Sequence, residues 1–415
     1  MSLRQKLAIY ICVLMATSLV WSKALLSISM VMLAIVSAFD IQTNPFKIRW
    51  MLTPDLIRTT IRYKPFIWVY ALFALLYMVS IVYAGNIREW WVLTNMSLAF
   101  LLLPMSFAML KPFNRNQYMM VTLSMAVLAF FTSVWVILNY YQHHDFYLDN
   151  FGKGGVLPTP TNHIRYSMII ASSLILCLFF AIENWKLKYA WERWVYISLA
   201  LYFFIFLHIV SVRTGLVVAY AGIVMLSLFY LNRISPWKKI VLAIIVILAP
   251  VIAYTTLPSF KHKIYYTIWD FKQYMQGNGT TYSDSERWES WKVGIEVGKQ
   301  HLLFGTGTGK FRSEVSGYYH NVLQKEKWTR PHNQFINVFV IFGLFGLIVF
   351  IFILVYPMTF KQFWSVAIIP TLYVMQLLSM MVEHPLDTEI GAGLFLLLTM
   401  VGLSMLDDEK FGALK

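Results

Sequence analysis

Residues 336–356 read INVFVIFGLFGLIVFIFILVY, an apolar run without a single charged side chain. A helix needs about 20 residues to cross the hydrocarbon core of a bilayer, so this run has the length of one membrane span. Just before it, residues 329–335 read TRPHNQF and put Arg330, His332 and Asn333 at the mouth of that span. Charged and polar groups are costly at the edge of hydrocarbon, and their presence there asks for a reason.

Outward from this stretch the same pattern recurs. The chain of 415 residues is 59% hydrophobic and 13% charged, against about 25% charged in soluble domains. Apolar runs of span length predict an all-α polytopic membrane protein, whereas a β-barrel would show short alternating segments. About twelve spans are expected, near 7–21, 24–39, 65–84, 91–110, 118–140, 165–183, 192–210, 213–232, 238–256, 334–356, 362–382 and 390–406. The net charge of +14 reads as the Lys and Arg of cytoplasmic loops, with no nucleic-acid partner. Cys12 and Cys177 lie inside apolar runs and offer neither a disulfide framework nor a metal site.

Basic connectors such as LKPFNRNQ (110–117), ENWKLKYAWERW (183–194) and LNRISPWKK (231–239) alternate with basic-poor ones. The basic set belongs in the cytoplasm, which puts both termini there and turns the segment after 256 outward. Three regions follow: 1–256 with nine spans, an extracytoplasmic loop domain at 257–333, and 334–415 with three spans and a short cytoplasmic tail. Within the loop, SDSERWESWKVGIEVGKQ (283–300) predicts a helix. Ser283 or Asp284 would cap it, and Trp288, Trp291 and Ile295 would form its apolar stripe.

The residues suited to chemistry gather on the outward side. Arg213 stands between two spans in SVRTG (211–215) among small neighbours, Arg287 lies in the loop helix, and Arg165 follows His163 at the start of a span. For Arg165 the plain alternative is a snorkelling side chain. Guanidinium groups facing a common pocket suit phosphate, which they grip with two parallel hydrogen bonds. A histidine such as His332 beside them could accept a proton. Glu383, His384, Asp387 and Glu389, in MMVEHPLDTEI (380–390), could bind acceptor hydroxyls or balance the arginines. Trp288 and Trp291 offer faces for sugars, although an interfacial belt explains aromatic residues equally well. HLLFGTGTGKF (301–311) departs from the phosphate-loop pattern at Phe304 and Phe311 and reads as a tight turn. His143, His144 and Asp145 read as a solvated loop.

SVRTG at 211–215, SERWESWKVGIEVGKQHLLFGTGTGKF at 285–311 and RPHNQFINVFVIFGLFGLIVF at 330–350, in that order, resemble the O-antigen ligase and polymerase superfamily. The resemblance implies a GT-C-type glycosyltransferase of the bacterial inner membrane with its active site at the periplasmic face. It implies an undecaprenyl-pyrophosphate-linked glycan as donor, lipid A–core as acceptor, inversion at the transferred sugar, and no cofactor or metal. By the same resemblance Arg213 and Arg287 would hold the pyrophosphate and His332 would activate the acceptor hydroxyl. Arg165 and His163 fall where the family is variable, so the resemblance gives them no role; with Arg330 and Asn333 they are candidate substrate contacts by their placement alone. A polymerase or a protein O-oligosaccharyltransferase of the same superfamily remains an alternative. A transporter of lipid-linked glycans is a third, but it would place its charges near the bilayer midplane rather than at one face.

Overall fold

The computed structural model describes residues 2–43, 46–152, 155–233, 235–277 and 283–411. Among these, eight helices are long and apolar enough to cross a membrane, including Leu3–Trp21, Arg115–Gln142, His163–Ile182 and Gln334–Thr359. Four shorter apolar helices, Lys23–Ala38, Ala71–Tyr83, Val246–Thr256 and Ile368–Met380, fall on other expected spans. The chain is an all-α polytopic membrane protein.

One segment expected as plain connector is ordered differently. Phe39–Thr43 and Phe46–Trp50 pair antiparallel, with Asp40 opposite Arg49 and Ile41 opposite Ile48. Both strands alternate apolar and polar residues with period two, and the opposed charges favour that register.

The chain divides into two compact units. One comprises Met1–Val121, Arg287–Ile369 and Met380–Lys415; the other comprises Thr122–Glu286 and Pro370–Ser379. In the second unit, helices His163–Ile182 and Arg213–Tyr230 pack along each other. A Cβ at Gly215 would lie 2.4 Å from the Cβ of Ser167, and one at Gly222 would lie 2.9 Å from Cγ1 of Ile175. These contacts advance in the same direction along both helices, so the two run parallel. Arg165 and Arg213 therefore stand at the same end of the pair, in the first turns of their helices, where the positive end of a helix favours an anion.

In the first unit, the span expected as one continuous rod is broken. Helix Gln334–Val355 contains Gly343 at φ 65°, ψ −162°, which interrupts its hydrogen-bond ladder. The turn after the loop helix fills the gap. The N–H groups of Thr306 and Gly307 donate to the carbonyls of Val340 and Ile341 at 2.9 and 2.8 Å. In return the N–H groups of Leu344 and Phe345 donate to the carbonyls of Leu302 and Leu303 at 2.8 and 3.1 Å. Non-helical backbone at membrane depth survives only where protein satisfies it, and here the FGTG turn (304–307) does so. The close approach also explains two glycines. A Cβ at Gly305 (φ +70°) would meet the Ile341 carbonyl at 2.4 Å, and one at Gly343 would meet that of Leu303 at 2.4 Å.

Gly305→Ala combines a left-handed backbone with a backbone clash, and we expect it to cost more than about 1 kcal/mol. Gly317→Ala, on a helix where a new Cβ meets only the end of Asn321 at 3.9 Å, should be neutral or slightly stabilising. Thermal unfolding midpoints of the two variants in detergent check this; equal midpoints would count against the exchange.

Candidate active site

The loop helix occupies Ser283–Gln300, the expected range. Its start is held from the preceding helix, Pro258–Met275. Asp270, fully buried, accepts from the N–H of Asp284 and the hydroxyl of Ser285, each at 2.7 Å. The side chain of Ser283, one of the two expected caps, lies outside the described residues. The Asp284 carboxylate pairs with Arg213, and Asp270 adds a negative charge at the helix's positive end. Arg213 also donates to Thr267 Oγ1 at 2.9 Å. All of these residues belong to the second unit.

The buried face of the loop helix also differs from expectation. Ser290, Val293, Gly294, Val297 and Gly298 are buried, while Ile295 is 39% exposed and Trp288 and Trp291 are half-buried. The cause is the partner surface. A Cβ at Gly294 would lie 2.6 Å from Ile336 and 2.8 Å from Pro331, and one at Gly298 would lie 2.3 Å from the Phe339 ring. Two glycines four residues apart let the helix close onto the start of the next span, and the bulk that fills the contact comes from the other side.

That packing seats His332. Ser290 Oγ accepts from the His332 N–H at 3.1 Å, and Trp291 Nε1 donates to the His332 carbonyl at 2.7 Å. Trp291 thus positions the histidine backbone. Asn333 caps the span, accepting from the N–H groups of Phe335 and Ile336 at 2.9 and 3.1 Å and donating to the Met381 carbonyl at 2.7 Å. Arg330 lies over the Phe311 ring at 5.4 Å from its centre.

The histidine ring faces Glu383. This carboxylate is 2% exposed, with Oε1 accepting from Arg287 Nη2 at 2.6 Å and Oε2 3.3 Å from His332 Nδ1. A carboxylate can only accept, so in the neutral imidazole this contact assigns the proton to Nδ1 and leaves the lone pair on Nε2. One buried carboxylate thereby orients both the arginine and the histidine. His384 is next to it, its ring centre 5.5 Å from that of His332. Among the described residues, His332, Glu383 and His384 are the one group of such side chains close enough to hold a metal ion.

The turn that presents Glu383 is itself fixed. Asp387 accepts from Tyr77 Oη at 2.9 Å, from Gln334 Nε2 at 3.0 Å and from Asn337 Nδ2 at 2.5 Å. Gln334 Oε1 accepts from the Leu386 N–H at 3.0 Å. A buried carboxylate needs such donors; here Gln334 and Asn337 tie the turn to the broken span, and Tyr77 ties it to the helix Ala71–Val79.

Arg165 is buried and His163 half-buried at the start of their helix, in the second unit. His143 and His144 are exposed, with His144 Nδ1 only on its neighbour Asp145 at 3.1 Å. Sequence reasoning missed Asp270 and Ser290, and it did not foresee the pairing of Asp284 with Arg213.

With this geometry in place, the comparison with known families is specific. Residues 198–351 match the family model described as O-antigen ligase. The segment is an O-antigen ligase domain. It contains Arg213, Arg287, Arg330, His332 and Asn333, begins after Arg165, and ends before Glu383. No curated protein matches the chain. The activity class is accordingly that of the O-antigen ligase and polymerase superfamily, a glycosyltransferase-like enzyme in a multi-pass membrane protein.

Glu383→Gln keeps the shape but removes the charge that Arg287 and His332 share. We expect transfer to fall on the order of 10²-fold or more, because the histidine loses its orienting acceptor. Single-turnover transfer, read beside the unfolding midpoint, separates this loss from misfolding.

Proposed function

We propose that the protein transfers an O-antigen glycan from undecaprenyl pyrophosphate to lipid A–core, at the periplasmic face of a bacterial inner membrane, with both termini cytoplasmic. The observation that carries the reading is the Glu383 carboxylate held between Arg287 and His332. It supports a base with one defined acceptor nitrogen next to a cation suited to phosphate.

In this reaction His332 Nε2 takes the proton of the acceptor hydroxyl as that oxygen attacks the anomeric carbon. The bond from that carbon to the pyrophosphate breaks, and its electron pair leaves with the phosphate oxygen. Attack opposite the leaving group inverts the configuration. Arg287 and Arg213 stabilise the charge that develops on the pyrophosphate, which is the work a divalent ion would otherwise do. In the structure each arginine holds a carboxylate, Glu383 and Asp284 respectively. Carboxylate oxygens occupy guanidinium sites of the kind phosphate oxygens take, so donor binding shares or displaces these partners. Trp288, Trp291, Arg330, Arg165 and His163 are further candidates for contact with the glycan or its carrier.

The test is single-turnover transfer by purified protein from undecaprenyl-pyrophosphate glycan to lipid A–core, beside a donor-binding assay. His332→Ala should lower turnover about 10²–10⁴-fold with donor binding retained, and His332→Gln should be nearly as impaired because an amide cannot accept the proton. Wild-type rates in His332→Ala would remove it from the base role.

For the arginines, Arg213→Ala and Arg287→Ala should each abolish most transfer through weaker donor binding and slower departure of the pyrophosphate. Lysine at either position should rescue only partly, since it keeps the charge and loses the fork. Normal transfer by both folded alanine variants would refute the phosphate role. Growth of the donor glycan, with lipid A–core left unmodified, would reassign the activity to a polymerase.

A further inference from the structure

Beside the proposed base stands a histidine that the transfer reaction does not use. His332, Glu383 and His384 each offer a donor atom, and these atoms lie within 4.8 Å of one another. The two imidazole rings are inclined at 55° rather than stacked, so they border a common volume. Glu383 is buried, while both histidines are half-buried and reachable from solvent. Arg287 occupies Oε1 of Glu383, and Oε2 is the oxygen on the His332 side.

Two imidazoles and one carboxylate suit a borderline transition ion, and such sites commonly keep a fourth position open. Tetrahedral bonds of about 2.0–2.2 Å put ligand atoms about 3.3–3.6 Å apart, so side-chain movements of about an ångström would close the set around an ion. Magnesium and calcium prefer oxygen donors in larger number and fit poorly here.

We propose that His332, Glu383 and His384 form an inhibitory site for a divalent transition ion of the Zn²⁺ class. The inhibition rests on the reading of His332 as the base. An ion on Nε2 takes the lone pair directly. An ion on Nδ1 moves the ring proton to Nε2, which then only donates. Either way the ring loses its acceptor, and the ion also draws Glu383 Oε2 away from its orienting role. Free Zn²⁺ thus halts transfer without touching the arginines, and its removal restores the base.

The experiment uses the full chain in detergent or nanodiscs. Co²⁺ titration is read by visible absorption, Zn²⁺ is added in competition, and single-turnover transfer is measured with Zn²⁺ and with chelator. One equivalent of Co²⁺ should bind and be displaced by Zn²⁺. Transfer should fall with Zn²⁺ and return in chelator. His384→Ala should keep the metal-free rate, bind Co²⁺ at least tenfold more weakly, and resist Zn²⁺ by the same factor. His384→Asn gives the same readings should the alanine variant fold poorly. The cobalt signal reports the site apart from the reaction. Its loss in both His332→Ala and His384→Ala supports the site even if the base reading fails in the transfer assay. The proposal is overturned by absence of bound Co²⁺, by Zn²⁺ binding without inhibition, by inhibition that both His384 variants leave unchanged, or by transfer that chelator abolishes and metal restores.

Discussion

Backbone polar groups inside a membrane must find partners within the protein, and the first unit is arranged around one solution to that demand. The Gln334–Val355 helix breaks at Gly343, and the turn at 302–307 supplies four hydrogen bonds across the gap. The exchange welds the end of the loop helix to the middle of a span. With that end fixed, Gly294 and Gly298 lie against Pro331, Ile336 and Phe339, and Ser290 and Trp291 reach the backbone of His332. The base is therefore held by its main chain, and only its ring is left to respond to what binds.

Buried charge is handled by sharing. Glu383 serves a cation and an imidazole at once, Asp270 serves a helix start, and Asp387 gathers three neutral donors. Removing one partner from such a set leaves a desolvated charge behind, which costs more than the pair itself contributes. These carboxylates come from distant parts of the chain and fix turns that apolar packing alone would leave loose.

Much of this was legible in the sequence, and for physical reasons. Span-length apolar runs locate helices without knowledge of their neighbours. The acidic first turn and the four-residue spacings of 283–300 mark a helix on local grounds. His332 and the arginines stand out because charge at a membrane edge is expensive. What remained hidden depends on partners far apart in sequence. Fifty-one residues separate His332 from Glu383, and no local pattern announces their meeting. The buried side of the loop helix was misjudged because its apolar bulk belongs to Ile336 and Phe339, with glycine on its own side. The break at Gly343 sits in an uninterrupted apolar run, where periodicity is silent. The hairpin at 39–50 did carry a period-two signal, on strands too short to outweigh their basic, loop-like surroundings.

The same break has a mechanical consequence. A continuous helix of 22 residues would be a rod about 33 Å long, and any tilt imposed on its far end by bilayer thickness would be levered onto the histidine at its near end. Interrupting it nine residues after Gln334 shortens the arm that carries His332 to about 14 Å. That arm is clamped to the loop helix on one side and to the 302–307 turn at its end, so a tilt of the far half meets the turn before it reaches the histidine.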